Sequence, residues 1–259
     1  LINKPKLLNI GDYMPDIIEE FYDDFINSTA KVYPVKKHAN RILGTCKLCG
    51  NKYTKSGMLR HLKSCLKRNI EKGTHRHFII SIEYKYDNRF FLSVLASANT
   101  TLKKLDDFLR KIWVECCEHL SAFKIADKSF YSQAIEPGDR NMNYTLESLL
   151  TVNTEFDYDY DFGTTTQLKL KASDEWFTKK QSSGIRLLAR NVMPELTCIC
   201  CDKPAEYVCT DIGGELDNRV FCEQCAEDHD YEMESMLPFL NSPRSGICSY
   251  IGEQDEWDD

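Results

Sequence analysis

The chain has 259 residues, 42% of them hydrophobic and 28% charged, with a formal net charge of −7. Its length allows one large domain or two to three small ones, and its composition excludes a fibrous or wholly disordered protein. No apolar run approaches the roughly 18 residues of a membrane-spanning helix and no signal-peptide core follows the start, so the expectation is a cytoplasmic protein with no membrane partner.

The charge is unevenly placed. Between Lys31 and Arg76 there are thirteen Lys or Arg and one acid, Glu71, whereas residues 195–259 carry −14. A basic block of this kind points to a polyanionic partner for residues 31–76 alone. Ahead of it, residues 1–40 form an acidic arm and linker. Within the arm, Pro15–Ile26 spaces Ile17, Ile18, Phe21, Tyr22 and Phe25 on one helical face, as expected of a helix that packs on its own protein or on a partner.

Twelve cysteines in a chain read as intracellular suggest metal ligands rather than disulfides. In residues 41–74 the spacing is Cys46-x-x-Cys49, eleven residues, then His61-x-x-x-Cys65. A C-x2-C turn supplies two thiolates from one knuckle, Gly50 suits the turn, and His61 and Cys65 stand one helical turn apart, so all four can face one tetrahedral zinc. Thr54 or Ser56 is the expected cap of the helix, and Tyr53 with Met58 or Leu59 its small core. Lys52, Lys55, Arg60, Lys63, Lys67 and Arg68 surround this finger and are candidates for phosphate contact. Base reading is disfavoured, because the central reading position of a ββα finger falls on Gly57. The competing expectation is a basic face that docks on the acidic remainder of the chain or on another protein.

From His77 the pattern becomes that of strands. His77–Tyr84 and Arg89–Ala96 read as a hairpin turning at Tyr86-Asp87-Asn88. Thr101 should cap a helix with Leu102, Leu105, Leu109, Ile112, Trp113 and Cys116 on its apolar face. A strand over His119–Ala126, a short helix near Leu146–Leu150, a hairpin of Phe156–Phe162 with Gln167–Ala172 and a strand over Ile185–Val192 follow. The expectation is an α+β fold, a mostly antiparallel central sheet with two helices, over residues 75–194. Asp157, Asp159 and Asp161 alternate with aromatic residues, so they read first as the solvated face of a strand and secondarily as a divalent-metal or acid–base set with His119 and Cys117. Cys116 and Cys117 read as packing cysteines with no cationic neighbour in sequence, and His119 as a cap or core residue.

The segment Trp113–Phe123 and the hairpin Phe156-Asp-Tyr-Asp-Tyr-Asp-Phe-Gly163 resemble the plasmid pRiA4b open-reading-frame-three-like family over about residues 75–192, and Met236–Tyr250 resembles the tail of its zinc-bearing branch. The resemblance implies a prokaryotic α+β domain, often near mobile elements, with no activity to carry over. Many members continue the glycine hairpin with Asp, Trp and His. Here the residues are Thr164, Thr165, Thr166, Gln167 and Leu168.

Residues 195–259 hold Cys198-x-x-Cys201, twenty residues, then Cys222-x-x-Cys225. Two facing knuckles make a four-thiolate structural zinc site with no open position for water. Cys209 and His229, with Cys200 or Cys248, are candidates for a second ion in this acidic module. In the family a further C-x2-C often begins near Cys209, but its second position here is Ile212. About two zinc ions per chain are therefore expected. The functional expectation is a non-enzymatic nucleic-acid-binding regulatory or accessory protein, with a protein–protein adaptor as the alternative and a metal-dependent hydrolase using Asp157, Asp159 and Asp161 as the third reading.

Overall fold

The structure is a computed structural model and describes residues 42–180, 184–229 and 233–252; the helix expected over residues 15–26 lies outside them. Ten strands, β1 (Leu43–Cys46), β2 (Lys52–Thr54), β3 (Lys72–Tyr84), β4 (Phe91–Ser97), β5 (Ser121–Ile125), β6 (Lys128–Tyr131), β7 (Arg140–Asn141), β8 (Glu155–Tyr160), β9 (Thr166–Thr178) and β10 (Ile185–Asn191), share one sheet. Their order is β2-β1-β10-β4-β3-β9-β8-β5-β6-β7, antiparallel throughout except for the β6–β7 pair. A smaller sheet, ordered β12-β11-β13, joins β11 (Tyr207–Cys209), β12 (Val220–Phe221) and β13 (Met236–Pro238). Four α-helices occur among the described residues: α1 (Lys55–Asn69), α2 (Leu102–Leu109), α3 (Leu146–Leu149) and α4 (Glu223–Glu227). This is the expected α+β class with a mostly antiparallel sheet.

One sheet face is covered by α2. Its cap is Thr101, whose hydroxyl accepts the Lys104 N–H at 3.3 Å. Leu102, Leu105 and Leu109 then fall on one face and pack with Ile80, Val94, Tyr158 and Leu170 from the sheet. The helix does not run on to Cys116. It widens to a π turn over Arg110–Val114, closed by Glu115 N–H to the Arg110 carbonyl, and Glu115 is extended. Arg110 holds this exit, donating to Glu115, to the His119 carbonyl and to Ser121 at 2.7 to 2.9 Å.

The opposite face is covered at β3, β4 and β10 by α1. Met58, Leu62, Cys65 and Leu66 pack on Ile79, Leu95, Leu188 and Ala189. This explains the unbroken apolar run Phe78-Ile79-Ile80, since both faces of β3 are buried there. β1 also pairs with β10, so the finger extends the sheet rather than hanging from it.

Beyond β13 the chain returns to the end of α2. Ser242 donates to the Trp113 carbonyl at 2.5 Å, Asn191 Nδ2 donates to Asn241 Oδ1, and Asn241 Nδ2 donates to the Asn191 backbone carbonyl. Arg244 is fully buried. Gly246 sits in this tail at φ +69°, where a Cβ would lie 2.3 Å from a Val208 methyl, so only glycine fits.

Candidate metal centres

The first centre grows from β1, its turn and α1. Cys46 ends β1, and Gly50 at φ +74° closes the knuckle through Gly50 N–H to the Cys46 carbonyl at 2.8 Å. α1 begins where the Thr54 hydroxyl caps the Gly57 N–H, and it brings His61 and Cys65 round on successive turns. The Sγ atoms of Cys46 and Cys65 lie 3.8 Å apart, and Cys49 Sγ lies 3.3 Å from His61 Nε2. The Tyr53 ring stacks on His61 at 4.2 Å, and Asn69 Nδ2 donates to Cys65 Sγ at 3.2 Å, an outer contact that orients the ligand. Burial, then the charge of Arg68, lowers the His61 pKa and so favours the neutral, ligating ring. Burial pushes the Cys46 thiol up to about 11, so binding a cation here must release a proton.

The second centre follows the order knuckle, hairpin, helix. Cys198 and Cys201 lie on the knuckle, β11 and β12 form the hairpin, and Cys222 and Cys225 stand at the start of α4. Cys201 Sγ is 3.6 Å from Cys222 Sγ and 3.8 Å from Cys225 Sγ. Burial works to raise the Cys198 pKa, but backbone N–H groups of Cys222, Cys200 and Cys201 converge on its sulfur and take it down to about 7. Cys225 moves the other way, raised by burial and by the neighbouring cysteines. Cys209 and His229 join no ligand group among the described residues. Cys209 is buried in the module core, and the His229 ring meets Phe221 edge-on at 4.7 Å.

A third group escaped the sequence. Cys116, Cys117, His119 and Cys248 bring their ligand atoms within 4.8 Å of one another. The packing role expected of Cys117 is corrected here, since Cys117 is exposed, whereas Cys116 is half-buried and packs against the main core. Cys116 also has a cationic neighbour, Arg244, whose Nη2 lies 3.5 Å from its sulfur. That contact spans 128 residues of sequence, which is why no local signal carried it. All three Cys/His groups could hold a metal ion.

The acidic strand has a structural explanation. Across the sheet, Lys124 is paired with Asp157, Asp157 with Lys169, and Lys169 with Glu83, and Glu83 in turn meets Lys55 of α1 in an ion pair. One row along, Glu155 meets Lys171 at 2.8 Å. The alternating acids thus face alternating lysines. Asp159 is taken by Gln167 at 2.9 Å. Asp161 leaves the strand at φ +62°, so the three aspartates form no ligand group, and the following Phe162 is 44% exposed.

Of the basic candidates, Lys52, Arg60, Lys63, Lys67 and Arg68 are exposed and Lys55 is half-buried. Arg60, Lys63 and Lys67 lie along the face of α1 opposite its buried stripe. Lys63 meets Asp174 at 2.8 Å. Beside the finger a cleft of about 680 Å³ separates β1 and β2 from the tail, and the charged residues lining it, among those described, are the cations Lys47, Lys52, Lys111 and Arg190.

No helix among the described residues is long and apolar enough to cross a membrane. No family model matches the chain and no curated protein matches it. Among solved structures it is similar to a protein of unknown function from Methanosarcina mazei Go1, at 16% identity and a TM-score of 0.40, over 46% of this chain and 70% of that one.

Proposed function

We propose that this is a non-enzymatic zinc protein that binds the phosphate backbone of nucleic acid, in a regulatory or accessory role. The observation that carries the reading is the cleft whose charged lining, among the described residues, is Lys47, Lys52, Lys111 and Arg190, together with the exposed cationic stripe of α1. Zinc fixes the finger so that these cations stand at set positions, and a polyanion gains affinity by displacing condensed counterions. Shape and charge carry the recognition, because Gly57 presents no side chain to a base. Membership of the plasmid pRiA4b open-reading-frame-three-like family, with its links to mobile elements, belongs to the same reading and rests on the quoted residues.

Titration of labelled duplex DNA, single-stranded DNA and RNA with the full chain at two salt concentrations tests it. Binding at low salt that weakens steeply as salt rises is expected. No retention at low salt, or indifference to salt, overturns it.

A specific observation favours the adaptor reading. Lys55 and Lys63 are engaged by Glu83 and Asp174 of the same chain, so part of the finger's charge is neutralised internally. In that case zinc is a scaffold for protein contacts, and the same titration shows no nucleic-acid retention.

A further inference from the structure

Tetrahedral zinc imposes distances on its ligands. With Zn–S near 2.3 Å and Zn–N near 2.0–2.1 Å, two sulfurs must lie about 3.8 Å apart and sulfur and nitrogen about 3.5 Å apart. In the third group, Cys117 and Cys248 Sγ are 3.5 Å apart and Cys248 Sγ lies 3.7 Å from His119 Nε2. A disulfide would need about 2.05 Å. The same edges recur in the two centres whose spacing marks them in the sequence, at 3.3 to 3.8 Å.

Its surroundings are built for a thiolate-rich ion. Three thiolates and one imidazole on a divalent cation leave a net charge of −1, and the buried Arg244 guanidinium, which also pairs with Asp161, donates towards Cys116 Sγ at 3.5 Å and so favours the thiolate. Asp161 lies 3.7 Å from His119 Nε2, but its Oδ2 is taken by Arg244 at 2.5 Å. Two non-glycine residues hold left-handed backbone here, Glu118 at φ +56° and Cys248 itself at φ +54°. Such conformations persist where the surroundings over-determine them, and they cluster at functional sites.

We propose that Cys116, Cys117, His119 and Cys248 hold a third zinc ion, which latches the returning tail to the end of α2. The chain then carries three zinc ions. The first two close units that are local in sequence. The third joins residues 116–119 to residue 248, and so ties the C-terminal module to the central sheet. The inference is independent of nucleic-acid binding.

The test is elemental analysis of the full chain, purified under reducing conditions, together with its Cys248→Ser and His119→Gln variants. Three zinc ions per chain are expected for the natural sequence and two for each variant. A count of two in the natural chain, unchanged by either substitution, overturns the proposal. Should the variants fold poorly, timed alkylation of the natural chain read by mass spectrometry decides. Cys117 and Cys248 are expected to react more slowly than the exposed Cys200 until a chelator is added. Reaction at the Cys200 rate in zinc-loaded protein, or recovery of a Cys117–Cys248 disulfide in place of the ion, overturns it.

Discussion

Arg244 donates from Nη2 to Asp161 Oδ2 at 2.5 Å, although 83 residues separate them in sequence. The guanidinium also reaches the Thr164 carbonyl at 2.6 Å and Thr166 Oγ1 at 3.1 Å, and it lies over the Tyr160 ring. It therefore fixes the left-handed turn that ends β8 and binds the tail to the sheet with one side chain. Removing one partner leaves an uncompensated buried charge, at a cost of about 3–5 kcal/mol. Arg244→Met should lose that much in denaturant unfolding. Arg244→Lys should recover little of it, because an ammonium cannot span both Asp161 and Thr164.

The same pair predicts a pH dependence. Burial works to raise the Asp161 pKa, but Arg244 and the N–H groups of Thr164 and Gly163 outweigh it and hold the carboxyl below the usual aspartate range. A depressed folded-state value means the contribution is present above the unfolded value, near 3.9, and is lost as pH falls through the folded one. Unfolding free energies between pH 6 and pH 3 should fall more steeply in the natural chain than in Asp161→Asn, which has no carboxyl to protonate. Parallel curves would remove the assignment.

Leu62 is buried between α1 and β10 rather than in a self-contained finger core. Leu62→Ala should cost about 2–5 kcal/mol. The effect should reach the sheet, and hydrogen exchange should rise in β10 as well as in α1. Exchange confined to residues 43–69 would mean that the finger is energetically separate.

Surface cations should divide by partner. An exposed ion pair contributes about 0–1 kcal/mol, so Lys63→Ala should barely change stability despite the Asp174 contact. Lys52→Glu and Lys67→Glu should each weaken nucleic-acid binding and flatten its salt dependence by about 0.9 for every phosphate left unneutralised. Unchanged slopes in both would argue for the adaptor reading.

Chelation should act unequally on the fold. Structural zinc contributes on the order of 10 kcal/mol where little core exists. The module built on Cys198, Cys201, Cys222 and Cys225 has short strands and a five-residue helix, so it should lose its structure first. Circular dichroism with added chelator should show loss of part of the signal while the ten-stranded sheet persists.

What could be read from the sequence was local. The C-x2-C spacing, the cap at Thr101 and the apolar period of α2 each lie within a few residues and gave both local cysteine groups and the start of that helix, while runs of β-branched and aromatic residues gave six of the ten strands of the large sheet. The alternation was legible as a solvated strand face at Asp157, but Asp159 and Asp161 are buried and Asp161 leaves the strand, and the lysine partners were hidden because strand register depends on residues far apart in the chain. Cys248 was legible as a candidate ligand but was set with Cys209 and His229, and Arg244 gave no signal, for both sit in an irregular tail without periodicity and their partners lie more than 80 residues away. The docking of α1 on the sheet was missed for a related reason: a finger's small core and a helix packed on a sheet use the same apolar spacing, and only the pairing of β1 with β10 separates them.

That pairing orders events during synthesis. β1, β2 and α1, with the Cys46, Cys49, His61 and Cys65 group that could hold an ion, emerge early, but the surface that covers Met58, Leu62 and Leu66 includes Leu188 and Ala189, among the last strand residues of the large sheet to leave the ribosome. Throughout translation the nascent finger carries a bare oily stripe, at synthesis rates of about 5–20 residues per second, and so is a natural client for holding chaperones until its seat arrives.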